Sequence, residues 1–259
     1  MSMRERFFAD LESLGIMPGD TVLIHSSYRS LGPIEGGAKT FFEWLIEYIG
    51  KEGTIMFPAF SYSRVTVDNP YFNLKTTPSN VGYLPEYFRT EIVGVKRSMH
   101  ATHSCTAIGK HADYLTSGHE LDMTPVGENS PLRKLVLLDG KILDLGCTPA
   151  ATTLMHGVEE LVEPIYLYHP DPIDYTLDDG EGNVIEKKGA KRHNFVVDGV
   201  LYQQRYARLA DILKGEEISF GKILEADCIL MSAKAVWKHG LEILKNDPLA
   251  FVEPKKLEN

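Results

Sequence analysis

Nine histidines, at positions 25, 100, 103, 111, 119, 156, 169, 193 and 239, supply most of the side chains that could move protons near neutral pH. The run His156-Gly157-Val158-Glu159 is the most suggestive. On a helix, residues three apart share a face, so Glu159 can hold the His156 ring and balance its charge while the imidazole removes a proton. Glu160, four positions on, is equally reachable, and a surface histidine beside two ordinary acids is the plainer alternative. His25 ends an apolar run and is followed by Ser26 and Ser27. The next stretch, Ser30 to Gly37, holds Gly32, Gly36 and Gly37, which let backbone amides approach an anion where a helix begins. Neither GxxxxGK[ST] nor GxGxxG is present, so a strand–loop–helix corner without a ligand explains the same residues.

The third cluster is His100, His103, Ser104 and Cys105. With a distant partner such as His156, the two histidines could bind zinc, but they lie in an irregular segment and not in a helical HExxH. No metal is expected. Cys105 beside a histidine could act as a nucleophile, or could be a small buried apolar residue. No serine sits in G-x-S-x-G. No well-supported nucleophile emerges among these residues.

These groups need a scaffold, and the periodicities describe one. Phe7, Phe8, Leu11 and Leu14 repeat at helical spacing, as do Ala38, Phe41, Phe42, Leu45, Ile46 and Ile49. Thr21 to Ile24, Thr54 to Phe57 and Ile142 to Leu145 read as short buried strands. Helices are expected over 80–90, 131–138, 152–161, 202–213 and 232–244, and long loops over 61–80 and 118–131. After Glu163 the pattern turns to hairpins, with strands near Tyr166 to Tyr168 and Asn194 to Val197 and a turn at Asp178-Asp179-Gly180. The fold class expected is α/β, a mixed central β-sheet flanked by helices with an antiparallel β annex in the C-terminal half, in one domain over 1–259.

Composition agrees with an ordinary globular chain: 259 residues, 43% hydrophobic and 24% charged. A net charge of -9 argues against a nucleic-acid coat and suits a cationic partner. Asp171, Asp174, Asp178, Asp179 and Glu181 form an acidic stretch, either a solvated loop or a cleft lining. Cys105, Cys147 and Cys228 make no CxxC pair, so free thiols in a reducing compartment are expected. No signal peptide or membrane span is read, and the cytoplasm is the expected location.

Taken in order, the motifs resemble the aminoglycoside 3-N-acetyltransferase family over most of the chain. His25-Ser26-Ser27-Tyr28-Arg29-Ser30-Leu31-Gly32 is similar to its HSS-x-x-S-L-G segment, and Gly36-Gly37 to the glycine pair before its helix. Met56 to Tyr62, Gly82 to Arg89, Arg97 to Ser104, and Gly127 with Ser130-Pro131-Leu132 resemble further family segments. Thr153-Leu154-Met155-His156-Gly157-Val158-Glu159 is similar to T-x-x-H-x-x-E. The sequence departs from the family at Ala101, where proline is usual, at Thr152, where asparagine is common, and at Ala150, where an acid is common.

The resemblance implies acetyl transfer from acetyl-coenzyme A to the 3-amino group of 2-deoxystreptamine antibiotics, a resistance activity, with His156 as base and Glu159 as its carboxylate. It implies coenzyme A near His25, Ser26, Ser27, Ser30, Leu31, Gly32 and Gly36, and near His103, Ser104 and Cys105. Tyr62, Glu128, Asp178 and Asp179 are the expected acceptor contacts. Loop amides or hydroxyls near Ser104 and Thr153 are candidates to stabilise an oxyanion. A relative acetylating a different amine, and a coenzyme A-binding protein without catalysis, are the alternatives.

Overall fold

The computed structural model describes residues 1–257. In chain order the elements of the first half are α1 (Met3–Leu14), β1 (Thr21–Ser26), α2 (Gly37–Ile49), β2 (Thr54–Pro58), β3 (Tyr71–Asn73), α3 (Tyr83–Glu91), β4 (Lys96–Arg97), β5 (Cys105–Gly109), α4 (Ala112–Thr116) and α5 (Pro131–Leu137). The second half holds β6 (Lys141–Leu145), α6 (Met155–Val162), β7 (Ile173–Asp178), β8 (Val184–Ala190), β9 (Val196–Val197), β10 (Val200–Gln204), α7 (Leu209–Ile212), β11 (Ile218–Ile223), β12 (Ala226–Ser232), α8 (Ala233–Asn246) and β13 (Val252–Lys256).

A seven-stranded mixed sheet runs in the order β11-β12-β6-β1-β2-β5-β4. The central strand β1 is parallel to both β2 and β6, while β5 and β12 pair antiparallel on the flanks. Strand side chains alternate between faces, and the near-continuous apolar runs follow from burial on both. Val22, Ile24, Ile55, Phe57, Leu143 and Leu145 pack under α1, α2 and α3. Leu23, Met56 and Ile142 face the opposite way, into the core made with α4 to α8.

Two small sheets complete the structure: antiparallel β13-β10-β9, and β3-β7-β8, in which β3 and β7 are parallel. The mixed central sheet and the C-terminal antiparallel annex agree with the sequence reading. Three local expectations do not hold. The helix expected over 202–213 is the strand β10 followed by a 3₁₀ turn and the short α7, because Val200 to Gln204 pairs on both edges. Tyr166 to Tyr168 forms no strand, although Tyr168 bridges His193. The loop over 61–80 contains β3, which forms a ladder with the distant β7. The β11–β12 hairpin, which widens the central sheet, carries no clear signal in the residue spacing.

No helix among the described residues is long and apolar enough to cross a membrane.

Candidate active site

The carboxyl ends of β1 and β2 and the loop from β6 to α6 meet at one cavity of about 630 Å³. This is where parallel strands usually deliver ligand-binding groups. Its wall includes His25 and Ser26 from β1, His103, Thr153, His156, Tyr62, and the later residues Arg192, His193, Phe195 and Tyr206.

Of the four histidines on this wall, three are each held by a buried carboxylate. The first pair is His156 and Glu159 on α6, with Nδ1 3.3 Å from Oε2. Glu159 is fully enclosed, whereas 13% of the His156 side chain is exposed. Tyr206 donates to Glu159 Oε2 at 2.7 Å and Tyr166 to Oε1 at 3.0 Å, so two phenols fix the carboxylate. Burial and the Glu159 charge push both phenols above the ordinary tyrosine range, which keeps them as neutral donors. With Nδ1 turned to Glu159 and the Tyr206 oxygen, 3.2 Å away, Nε2 is the basic ring atom left for a ligand.

The second pair joins His25 and Asp144, register partners on adjacent strands β1 and β6, with Nδ1 3.0 Å from Oδ1. Burial raises the Asp144 carboxyl, and the bond to His25 opposes that rise. The Thr153 amide, which can only donate, points at His25 Nε2 at 3.4 Å, and Thr153 Oγ lies 3.0 Å from the same atom. His25 Nε2 is therefore an acceptor and Nδ1–H donates to Asp144. This bond ties the loop before α6, and hence His156, to the sheet. The third pair is His193 and Glu160, with Nε2 2.9 Å from Oε1.

His103 lies among these rings, its centroid 5.7 Å from His156 and 4.9 Å from His193. Burial, reinforced by the neighbouring imidazoles, holds it well below the ordinary histidine value. His100 is lowered to about 3, chiefly by burial, and its Nδ1 accepts the backbone amides of Thr102 and His103. Its visible work is to hold the turn. Among the described residues no three His, Cys, Asp or Glu side chains form a metal-binding group.

The other residues singled out in the sequence fall into separate places. Ser27 and Ser30 bond each other at 3.0 Å, and Ser30 also donates to the Gly146 carbonyl at 3.1 Å. Gly146 has φ 65°, and a Cβ there would lie 2.4 Å from Ser30 Cβ, so the close crossing of these two loops requires glycine. Leu31 is buried in the core beside α2, and Gly32 follows it. Gly36, with φ 80°, precedes α2, whose first turn has no side-chain cap. Ser104 accepts from Arg97 Nε at 2.9 Å and donates to the Ala59 carbonyl at 2.8 Å. Cys105 is enclosed in β5, and burial pushes its thiol up. Ser26 Oγ is buried at the cavity edge and has no partner among the described residues, which leaves its hydroxyl available to a ligand.

Glu128 is exposed and does not line the cavity. Asp178 accepts from Tyr71 at 2.5 Å and from the Gly180 amide, and Asp179 accepts from Glu181 and Asn183 amides within the β7–β8 hairpin turn. Neither is a wall residue. Arg192, His193, Phe195 and Tyr206 are wall residues that sequence spacing did not single out. Tyr206 is 47 positions from the Glu159 it bonds, and no local pattern links them.

Comparison with known proteins decides the family. The model described as aminoglycoside 3-N-acetyltransferase matches residues 23–245. The chain belongs to this family. Aminoglycoside N(3)-acetyltransferase III of Serratia marcescens is 33% identical over 177 residues, 62% of this chain and 65% of that protein, so the match spans just under two thirds of the relative's length. Among solved structures, aminoglycoside acetyltransferase AAC(3)-IVa in complex with a gentamicin superposes with a TM-score of 0.78 at 27% identity, covering 97% of this chain and 91% of that one. An AAC-IIIb complex with CoASH gives 0.77 at 25% identity, covering 95% and 97%.

Proposed function

We propose that this acetyltransferase-family protein moves the acetyl group of acetyl-coenzyme A to an amine, with the 3-amino group of a 2-deoxystreptamine aminoglycoside as the leading acceptor class. The family assignment supports the reaction class, and the neighbours that hold gentamicin and CoASH support the two ligands. The observation that carries the mechanism is the His156–Glu159 pair, with Nε2 free at the cavity and the carboxylate fixed by two tyrosines.

In the proposed step the amine nitrogen forms a C–N bond to the thioester carbonyl as His156 Nε2 takes an N–H proton. Glu159 balances the imidazolium. The C–S bond then breaks, and the proton passes from His156 to the departing thiolate. The acetyl arm of the coenzyme runs along His25, Ser26 and His103, near the Ser27–Gly32 turn, Gly36, Ser104 and Cys105, and Tyr62 contacts the acceptor. Cavity-wall amides and the Ser26 hydroxyl are the donors offered to the developing oxyanion.

A second acceptor class is favoured by one specific feature. Among the described residues the cavity wall carries Arg192 and no carboxylate, and the Arg192 guanidinium is bonded to the Val65 and Tyr62 carbonyls instead of to an acid. A wall of that charge suits an amine that also bears an anionic group. Thiol release from acetyl-coenzyme A, measured with gentamicin, apramycin and β-alanine, separates the two classes. His156→Ala is expected to abolish release with the fold intact, and retained full turnover removes the base assignment.

A further inference from the structure

The neighbouring acids Glu159 and Glu160 on α6 each serve a different histidine. Glu160 Oε1 accepts from His193 Nε2 at 2.9 Å and from the Val126 amide at 2.8 Å, and Arg133 lies 3.9 Å from Oε2. The two imidazole centroids are 5.1 Å apart, and both rings line the cavity. Burial raises the Glu160 carboxyl, but the bonds from His193 and Val126 outweigh that and leave it below the ordinary value, so Glu160 is a charged acceptor. Burial also holds His193 below the usual histidine range against the pull of Glu160, so the ring is neutral near pH 7. A neutral ring that donates through Nε2 carries its lone pair on Nδ1. That atom is buried and has no partner among the described residues.

The groups facing His193 are Glu160, Glu159 and His156 from α6, His103 from the segment before β5, and Tyr168 across its isolated bridge. His100 and Arg133 lie behind them. None of these fills the Nδ1 position.

Acetylating an ammonium removes two protons from nitrogen. One must leave before the lone pair can attack, and the second leaves as the C–N bond forms. A single base that hands its proton to the thiolate accounts for only one of them. We propose that His193 is the second proton acceptor: Nδ1 takes the first proton from the acceptor ammonium, and His156 takes the second during attack. The first proton passes to solvent when product leaves, Glu160 holding the charge meanwhile. This assignment rests on the acetyl-transfer reading above.

The test is kcat/KM against pH for wild type, His193→Gln and His156→Ala, with acetyl-coenzyme A and the best acceptor among gentamicin, apramycin and β-alanine. Glutamine retains an N–H for Glu160, and thermal melting of His193→Gln checks that the fold is kept. At pH 6.5 His193→Gln is expected to fall on the order of 100-fold. The gap should close to a few-fold once the pH exceeds the acceptor's own pKa, because a free amine needs only one base. His156→Ala should stay low throughout. A His193→Gln loss that is constant with pH, or no loss, overturns the second-acceptor role while leaving the acetyl-transfer reading standing. Wild type releasing no thiol with any of the three amines overturns both.

Discussion

Replacing Glu159 by glutamine tests whether the His156 tautomer is what makes the site basic. The carboxylate accepts from Tyr166 at 3.0 Å and Tyr206 at 2.7 Å while facing His156 Nδ1 at 3.3 Å. An amide of the same shape has one accepting oxygen. At the Oε1 position its nitrogen meets the Tyr166 donor, and at the Oε2 position it meets both Tyr206 and the imidazole. If it turns to His156 it donates to Nδ1, the ring proton moves to Nε2, and the atom proposed as the base can no longer accept. A wrong tautomer in a histidine–carboxylate pair costs about 10⁴ in kcat in the serine-protease precedent. Here Tyr206 also touches Nδ1, so a fall of about 10³ is the working figure, about 4 kcal/mol of barrier. Stability should drop by about 1–3 kcal/mol, because one buried phenol loses its acceptor and the other keeps only a neutral one. The assay is single-turnover acetyl transfer alongside urea denaturation, with imidazole ¹⁵N shifts reporting the tautomer. A variant within threefold of wild-type kcat would refute the argument, as would unchanged ¹⁵N shifts accompanying a large rate loss.

Four further outcomes are expected. Gly157→Ala puts a Cβ 2.7 Å from Val126 and 2.8 Å from Trp237, so urea denaturation should show a loss of about 1–3 kcal/mol, with slower turnover as α6 moves; an unchanged midpoint contradicts the packing account. His100, lowered to about 3, and His103, His119 and His193, lowered in the same direction, all stay neutral in the fold while the unfolded chain titrates near 6.5. The unfolded state then binds more protons, so their contribution is full above about pH 6.5 and is lost as pH falls toward 3; denaturation curves of equal stability at pH 7 and pH 5 rule this out. Cys147 is pushed up to about 12 and Cys228 to about 11 by burial, and Cys105 higher still, so iodoacetamide at pH 8 should leave native activity intact; rapid inactivation would reopen thiol chemistry. Asp179→Asn should leave KM for gentamicin within twofold, since Asp179 bonds its own hairpin turn, and a tenfold rise would place that turn at the acceptor.

Local regularity is legible in the chain because it repeats within a few residues. The alternating cores of β1, β2 and β6, the apolar face of α2 and the Ser232 cap of α8 all depend on neighbours close in sequence. So does the His156–Glu159 spacing, which one helical turn enforces. The helix expected over 202–213 fails to form for the complementary reason: β10 exists through pairing with β9 and β13, and β13 lies far along the chain.

The sequence by itself determined the α/β class, the order of motifs that marks the family, and a histidine with a carboxylate one turn away. Only the tertiary structure decided which acid serves which histidine. Both glutamates were within reach of His156, and the choice depends on Tyr166 and Tyr206 holding Glu159 and on His193 and Val126 holding Glu160. The same holds for Asp144, 119 positions from His25 and opposite it only because β1 and β6 pair in register. A hydrogen bond needs atoms within about 3 Å, and proximity of that kind between distant segments is a property of the packed fold, with no trace in residue spacing.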